Sequence, residues 1–181
     1  MATEAQNRKV IKKLNRAGLV RLWKQIKKGK TPGWDAGKAL EYLVLRAFEL
    51  DGAKVVWPFD VASGGNTIEQ IDGVIYVDGV AALLECKDYK DSVNFEPIAK
   101  LRQQLARRPP STIGCCVSKN GFTPEAMLLA ERSSPQNVLL WHGDEIEFGL
   151  KKKRMGEGLL AKYRHSVEQA MPDYKINIKL K

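Results

Sequence analysis

The stretch Ile71–Lys87, IDGVIYVDGVAALLECK, sets the dipeptide Asp78-Gly79 between two apolar runs. That pattern signals a β-hairpin closed by a two-residue turn. Pairing Val77 with Val80 and stepping outward brings Asp72 opposite Glu85. Facing side chains in such a pair lie roughly 5 Å apart on one side of the sheet. Lys87, two residues past Glu85, shares that side, while Cys86 points the other way. Two opposed carboxylates on a mostly apolar hairpin repel unless a cation sits between them. A divalent metal would meet that need, with Lys87 beside it. The bland alternative is a surface hairpin with scattered charges, because a one-residue bulge would break the register.

The 181 residues suit one domain with a full core, and 44% hydrophobic content is ordinary for a globular protein. No apolar run approaches the roughly 20 residues of a membrane span. The charged N-terminus lacks the apolar core of a secretory signal. Cys86, Cys115 and Cys116 lie in apolar, strand-like runs without a spacing framework. Reduced thiols and a cytoplasmic location are therefore expected. With only His142 and His165 and no CxxC, a structural zinc site is not expected.

The net charge of +9 is unevenly spread. Residues 1–33 carry ten Lys/Arg and one acid, and residues 151–181 carry nine and three. Between them, residues 34–150 hold eleven basic and seventeen acidic residues. Basic flanks suit a polyanion and concentrated carboxylates suit metal ions. Solvated helix faces and tails would give the same flanks.

Residues 8–28 read as a basic amphipathic helix, broken near Gly18, with Val10, Ile11, Leu14, Leu22, Trp23 and Ile26 on its apolar side. Lys27–Gly33 is a breaker. Ala36–Leu50 is the clearest helix, and it places Glu41 among Val44, Leu45 and Phe48. An acid in an apolar stripe needs a partner, unless it is a rim glutamate reaching water. Lys54–Phe59 reads as a short strand ended by Pro58, and Val61–Glu69 as a flexible loop around Ser63-Gly64-Gly65-Asn66. Glu96–Arg108 reads as a helix whose Lys100, Arg102, Arg107 and Arg108 add positive charge near the hairpin; Gln103 and Gln104 are within reach of a metal-bound water or phosphate there, but are expected to face solvent. Thr112–Ser118 is a buried strand, Pro124 to about Arg132 a helix capped by Thr123, and Asn137–Trp141 a strand. Tyr174–Leu180 alternates weakly, as an edge strand would. This order predicts an α/β fold, a mixed sheet of about five strands with helices on both faces.

Taken in order, Glu41, Asp72, Glu85 and Lys87 resemble the PD-(D/E)xK nuclease superfamily, most nearly its Mrr-like restriction endonuclease domains. GKALEYLVLRAFELDGAKV is similar to the family's first helix and following strand. IDGVIYVDGVAALLECKDY resembles its catalytic hairpin, and IGCCVSKNGFTPEAMLLAE its later strand, Gly-Phe-Thr turn and helix. The likeness spans roughly Gly37 to Leu150. Two departures stand out: Ile71 replaces the signature Pro, and Glu85 stands where the Mrr branch often has Gln. The resemblance implies a restriction-endonuclease-like nuclease core over residues 34–150. A basic helical N-terminal arm (1–33) and a basic C-terminal appendage (151–181) would flank it.

That resemblance implies metal-dependent DNA hydrolysis. Asp72, Glu85 and the backbone carbonyl of Cys86 would hold Mg²⁺, with Mn²⁺ as a substitute. Glu41 would bind a second metal directly or through water, and Lys87 would orient or deprotonate the attacking water. DNA is the expected partner, no membrane is expected, and a homodimer is compatible with two-strand cutting. The competing expectations are a junction or repair nuclease, a non-catalytic DNA-binding module, and a membrane- or partner-docking protein using residues 8–28.

Overall fold

The computed structural model describes residues 3–176. Helices α1 (Glu4–Lys12), α2 (Arg16–Lys27) and α3 (Lys38–Leu50) precede β1 (Lys54–Val56), β2 (Phe59–Ser63), β3 (Asn66–Ile71), β4 (Gly73–Val77) and β5 (Val80–Lys87). Then follow α4 (Glu96–Leu105), β6 (Thr112–Ser118), α5 (Pro124–Glu131), β7 (Val138–His142), α6 (Gly143–Lys152) and α7 (Met155–Gln169). The expected mixed sheet is present, in the order β1-β4-β5-β6-β7. β1, β4 and β5 pair antiparallel, and β5, β6 and β7 pair parallel through crossovers carrying α4 and α5.

Asp78 and Gly79 both adopt positive φ, 45° and 82°, as a tight hairpin turn requires. The ladder then runs from Val77–Val80 to Gly73–Leu84, the register that the sequence implies. β6 is buried along its whole length, which explains its unbroken apolar run. Its Gly114 lets α4 approach closely: a Cβ there would lie 2.7 Å from Leu101.

Two cores sandwich the sheet. One joins Leu101 and Leu105 of α4 and Ala126 and Ala130 of α5 to Leu83, Cys116 and Leu140. The larger one joins Ile11, Trp23, Leu43, Phe48, Ile146 and Leu159 to Ile75, Leu84, Cys86 and Trp141. α3 is buried nearly all round, because α1 and α2 cover its outer side. Both basic flanks therefore contribute apolar residues to this core, Leu19, Leu22 and Ile26 from one and Met155 and Leu159 from the other.

The last described residues are pinned beside β7. Glu145 pairs with the fully buried Lys162 at 2.8 Å and accepts the Ile176 amide at 3.0 Å. Burial pulls the Lys162 ammonium below its ordinary pKa, and Glu145 opposes that pull. Lys162 also donates to the carbonyls of Leu140 and Tyr174, Asp173 meets His142 at 2.6 Å, and the Leu140 amide donates to Pro172.

Several local expectations differ. The N-terminal helix breaks at Lys13–Asn15, where Asn15 caps α2 through the Gly18 amide, so Gly18 starts a helix instead of ending one. Val61–Glu69 is a two-stranded ribbon of β2 and β3, since Ser63–Asn66 makes a tight reversal and not a long loop. Gln104 is buried and donates to the Gln70 carbonyl, tying α4 to that ribbon. α6 and α7 carry helix signals masked by their charge. Tyr174, Lys175 and Ile176 lie in no strand, and residues 177–180 of that expected edge strand lie outside the described residues. No helix among the described residues is long and apolar enough to cross a membrane.

Gly73 is the most constrained glycine of the sheet. Its φ is 156°, and a Cβ there would lie 2.7 Å from Leu45 and 2.9 Å from the Val56 carbonyl oxygen. Gly73→Ala is expected to destabilise by about 2 kcal/mol through backbone strain and overpacking. By calorimetry that is a fall in Tm of roughly 4–8 °C; an unchanged Tm would mean that Leu45 and β1 yield freely.

Candidate active site

Asp72 stands where the β4–β5 ladder stops. The chain enters at Ile71 from β3 and turns at Gly73, so Asp72 is one residue short of the sheet. Its carboxylate does what a ladder carbonyl would otherwise do: Oδ2 accepts the Cys86 amide at 2.7 Å. Asp72 and Glu85 thus approach through a side chain-to-backbone bond and not as the facing strand pair expected from register.

Glu85 is completely buried on β5. Lys87 Nζ lies 2.6 Å from its Oε1, and Lys100 Nζ lies 3.1 and 3.0 Å from its two oxygens. Glu41 enters from the first turn of α3, also buried, with Lys38 Nζ at 2.7 Å. Glu41, Asp72 and Lys87 line one pocket of about 200 Å³, together with Lys38, Lys100 and Glu4. The four chemical residues expected from sequence therefore converge. Lys100, Lys38 and Glu4 were not singled out as site residues. Lys100 had shown only as nearby positive charge, and Glu4 had no signal because its proximity depends on how α1 packs.

Burial, with Glu41 and Glu85 as negative neighbours, pushes the Asp72 carboxyl up to about 7. The Cys86 amide and Lys87 work the other way. Burial opposes the charge on Lys87, but contact with Glu85 outweighs it and holds the ammonium above its ordinary pKa. Lys87 at rest is therefore a cationic donor. The Cys86 thiol is pushed well up, by burial first and by the same three carboxylates second, and it packs in the larger core. As a neutral, core-facing thiol it offers the pocket only its backbone.

Could these residues hold a divalent cation? Four carboxylates, Glu4, Glu41, Asp60 and Asp72, line the pocket, with Glu85 buried beside them. Three ammonium groups, Lys38, Lys87 and Lys100, face them, so two negative charges are left over once every carboxylate, Asp72 included, has lost its proton. An all-oxygen donor set with an excess of two charges fits one hard divalent ion. Among the described residues, the one trio of metal-type donors with atoms all within 4.8 Å of one another is elsewhere: His142, Glu145 and Asp173. Its Glu145 is already neutralised by Lys162. Glu41, Asp72 and Glu85 stand wider than that trio, with ammonium groups seated on two of them.

The Mrr_cat restriction endonuclease family matches residues 35–147. No curated protein matches the chain in sequence. Among solved structures it is similar to the protein of unknown function AF1548, with TM-score 0.51 and 18% identity over 62% of this chain and 65% of that one. It also matches the DNA modification-dependent restriction endonuclease AspBHI, with TM-score 0.48 and 14% identity over 92% of this chain and 43% of that one. A third match is the MspJI restriction endonuclease in complex with a 27-mer oligonucleotide, with TM-score 0.47 and 19% identity over 89% of this chain and 38% of that one. The chain spans less than two thirds of each of these proteins. The matched segment holds α3, the hairpin and the parallel strands, and with them Glu41, Asp72, Glu85 and Lys87. The chain belongs to the Mrr-type restriction endonuclease family.

Proposed function

We propose that this protein is a divalent-metal-dependent endonuclease that hydrolyses DNA phosphodiester bonds in restriction or defence. The observation that carries this reading is the gathering of Glu41, Asp72 and Lys87 on one carboxylate-rich pocket, with Glu85 buried behind Lys87, within the family's matched segment. Asp72, Glu85 and the backbone carbonyl of Cys86 hold Mg²⁺, for which Mn²⁺ substitutes, and Glu41 takes part directly or through water. The ion, when bound, polarises the phosphoryl oxygen and acidifies water. Lys87 donates hydrogen bonds, orienting the attacking water and offsetting the charge that builds on the phosphoryl oxygens. The Cys86 amide fixes the Asp72 carboxylate, so its position does not depend on the substrate. Phosphate attraction by the basic flanks supplies affinity, which falls as salt rises. The three buried free thiols suit a reducing cytoplasm, and cutting both strands calls for two copies of the site.

Cleavage is to be screened over supercoiled, linear, methylated, single-stranded and branched DNA with Mg²⁺, Mn²⁺ or chelator. Chelator should abolish it. Asp72→Ala, Glu85→Ala and Lys87→Ala should each lower the rate by about 100-fold or more while DNA binding survives. Full activity in Lys87→Ala would overturn the assigned role. Preference for branched over linear DNA would redirect the reading to a junction or repair nuclease.

A second test concerns the acid excess itself. The folded protein holds the Asp72 proton more tightly than the unfolded chain does. Metal-free stability should therefore fall as pH climbs from about 4 through about 7, and the penalty is complete above that. Asp72→Asn keeps an acceptor for the Cys86 amide and removes the charge. One pH unit of displacement is worth about 1.4 kcal/mol. In chelator, the variant's Tm at pH 8 should then exceed the parent's by about 3 °C or more, with little difference at pH 4. Mg²⁺ should raise the parent's Tm and leave the variant's unchanged. A lower Tm for Asp72→Asn at pH 8 would contradict the electrostatic account.

A further inference from the structure

Glu85 has one more ammonium than the catalytic hairpin supplies. Lys87, its neighbour on β5, lies 2.6 Å from Oε1 and is mostly buried. Lys100, from α4, straddles both oxygens at 3.1 and 3.0 Å, and its side chain is 46% exposed against 20% for Lys87. Lys100 therefore covers the bidentate edge of the carboxylate from the solvent side. That is the approach a cation from solution would use.

We propose that Lys100 is a stand-in for the metal, leaving Glu85 when a divalent ion binds and passing to a DNA backbone phosphate. The proposal rests on the metal-dependent function above. A fully buried carboxylate needs a counter-charge at all times. Without an ion, Lys87 and Lys100 supply it. With an ion on the same edge, the Lys100 ammonium sits a few ångströms from a double positive charge and is repelled. The side chain has somewhere to go. It borders a second, more open pocket beside the metal pocket, where Gln103 lies one turn further along α4, Arg107 stands just past the helix end, and the Glu69 carboxylate is already held by Arg107 and Arg108. Gln104 fixes that helix to the Gln70 carbonyl, so the lysine can swing without its backbone moving. An ammonium released onto this solvent-facing groove meets the next anion to arrive, which in the proposed reaction is phosphate.

The test measures Mg²⁺ and Mn²⁺ affinity of the full chain by calorimetric titration, and DNA binding across a salt series with Ca²⁺ in place of Mg²⁺. Lys100→Gln keeps a hydrogen-bond donor for Glu85 without the charge, Lys100→Met removes both, and Lys100→Arg restores the charge. Lys100→Gln is expected to bind the divalent ion roughly fivefold more tightly than the parent. Its slope of log K against log salt for DNA should be shallower by about 0.9, one phosphate contact, and Lys100→Arg should recover the parent slope. A purely structural lysine predicts the opposite: lower Tm in both neutral variants, metal affinity unchanged or weaker, and no change in salt slope. If the parent binds no divalent ion, the metal-dependent function itself fails. If the parent binds it and Lys100→Gln binds no more tightly, only the stand-in role fails.

Discussion

The hydrogen bond from the Cys86 amide to the Asp72 carboxylate is the constraint around which the candidate site is organised. It exists because the ladder stops one residue early. Gly73 takes a backbone conformation closed to other residues, packed against Leu45 and the Val56 carbonyl, and the chain before it leaves the sheet. Had the strand continued, Cys86 would have found a backbone acceptor and Asp72 would have been one more cross-strand side chain. The early stop instead spends a carboxylate on a ladder donor and sets β3 on its own course with β2, which gives the pocket a wall of Phe59, Asp60 and Ile71.

The rest of the architecture delivers charges to that point from two sides. α3 brings Glu41 and Lys38 from the larger core, and it is held by α1 and α2, whose apolar faces bury Ile11, Leu19 and Trp23. α4 brings Lys100 from the smaller core, drawn close by the missing side chain at Gly114. The sheet rim is where these two faces meet, so carboxylates and ammonium groups from separate layers share one cavity. Keeping them there costs stability in the absence of a cation, as the raised Asp72 carboxyl expresses. Such a cost is usual where function and folding make different demands on the same residues.

Much of this was legible in the sequence because it rests on periodicity and turn chemistry. Asp78-Gly79 fixes the hairpin register, the run Thr112–Ser118 reads as a strand buried on both faces, and Glu41 announces itself as an acid in an apolar helix stripe. What was not legible depends on tertiary geometry. β2 and β3 form a ribbon away from the main sheet, with mostly exposed residues, and so carry no clean two-residue alternation. α6 and α7 are rich in charge, and one of those charges, Lys162, is a wholly buried core residue whose partners lie on other elements. Lys100 belongs to a helix surface whose direction depends on the crossover after β5. A long flexible side chain gives no sequence sign of which carboxylate it will reach.

The short C-terminal strap beside β7 has a consequence for assembly. Pro172 accepts the Leu140 amide, so a neighbouring chain cannot use that donor to extend the sheet at this margin. At the opposite margin β1 offers just three residues, Lys54–Val56, too few to template a stable intermolecular strand. Sheet-to-sheet fusion of two copies is therefore disfavoured at both ends. A pairing of subunits would instead use side-chain surfaces on helices or on the protruding ribbon, where mutation can tune it without disturbing the backbone ladder beneath the candidate site.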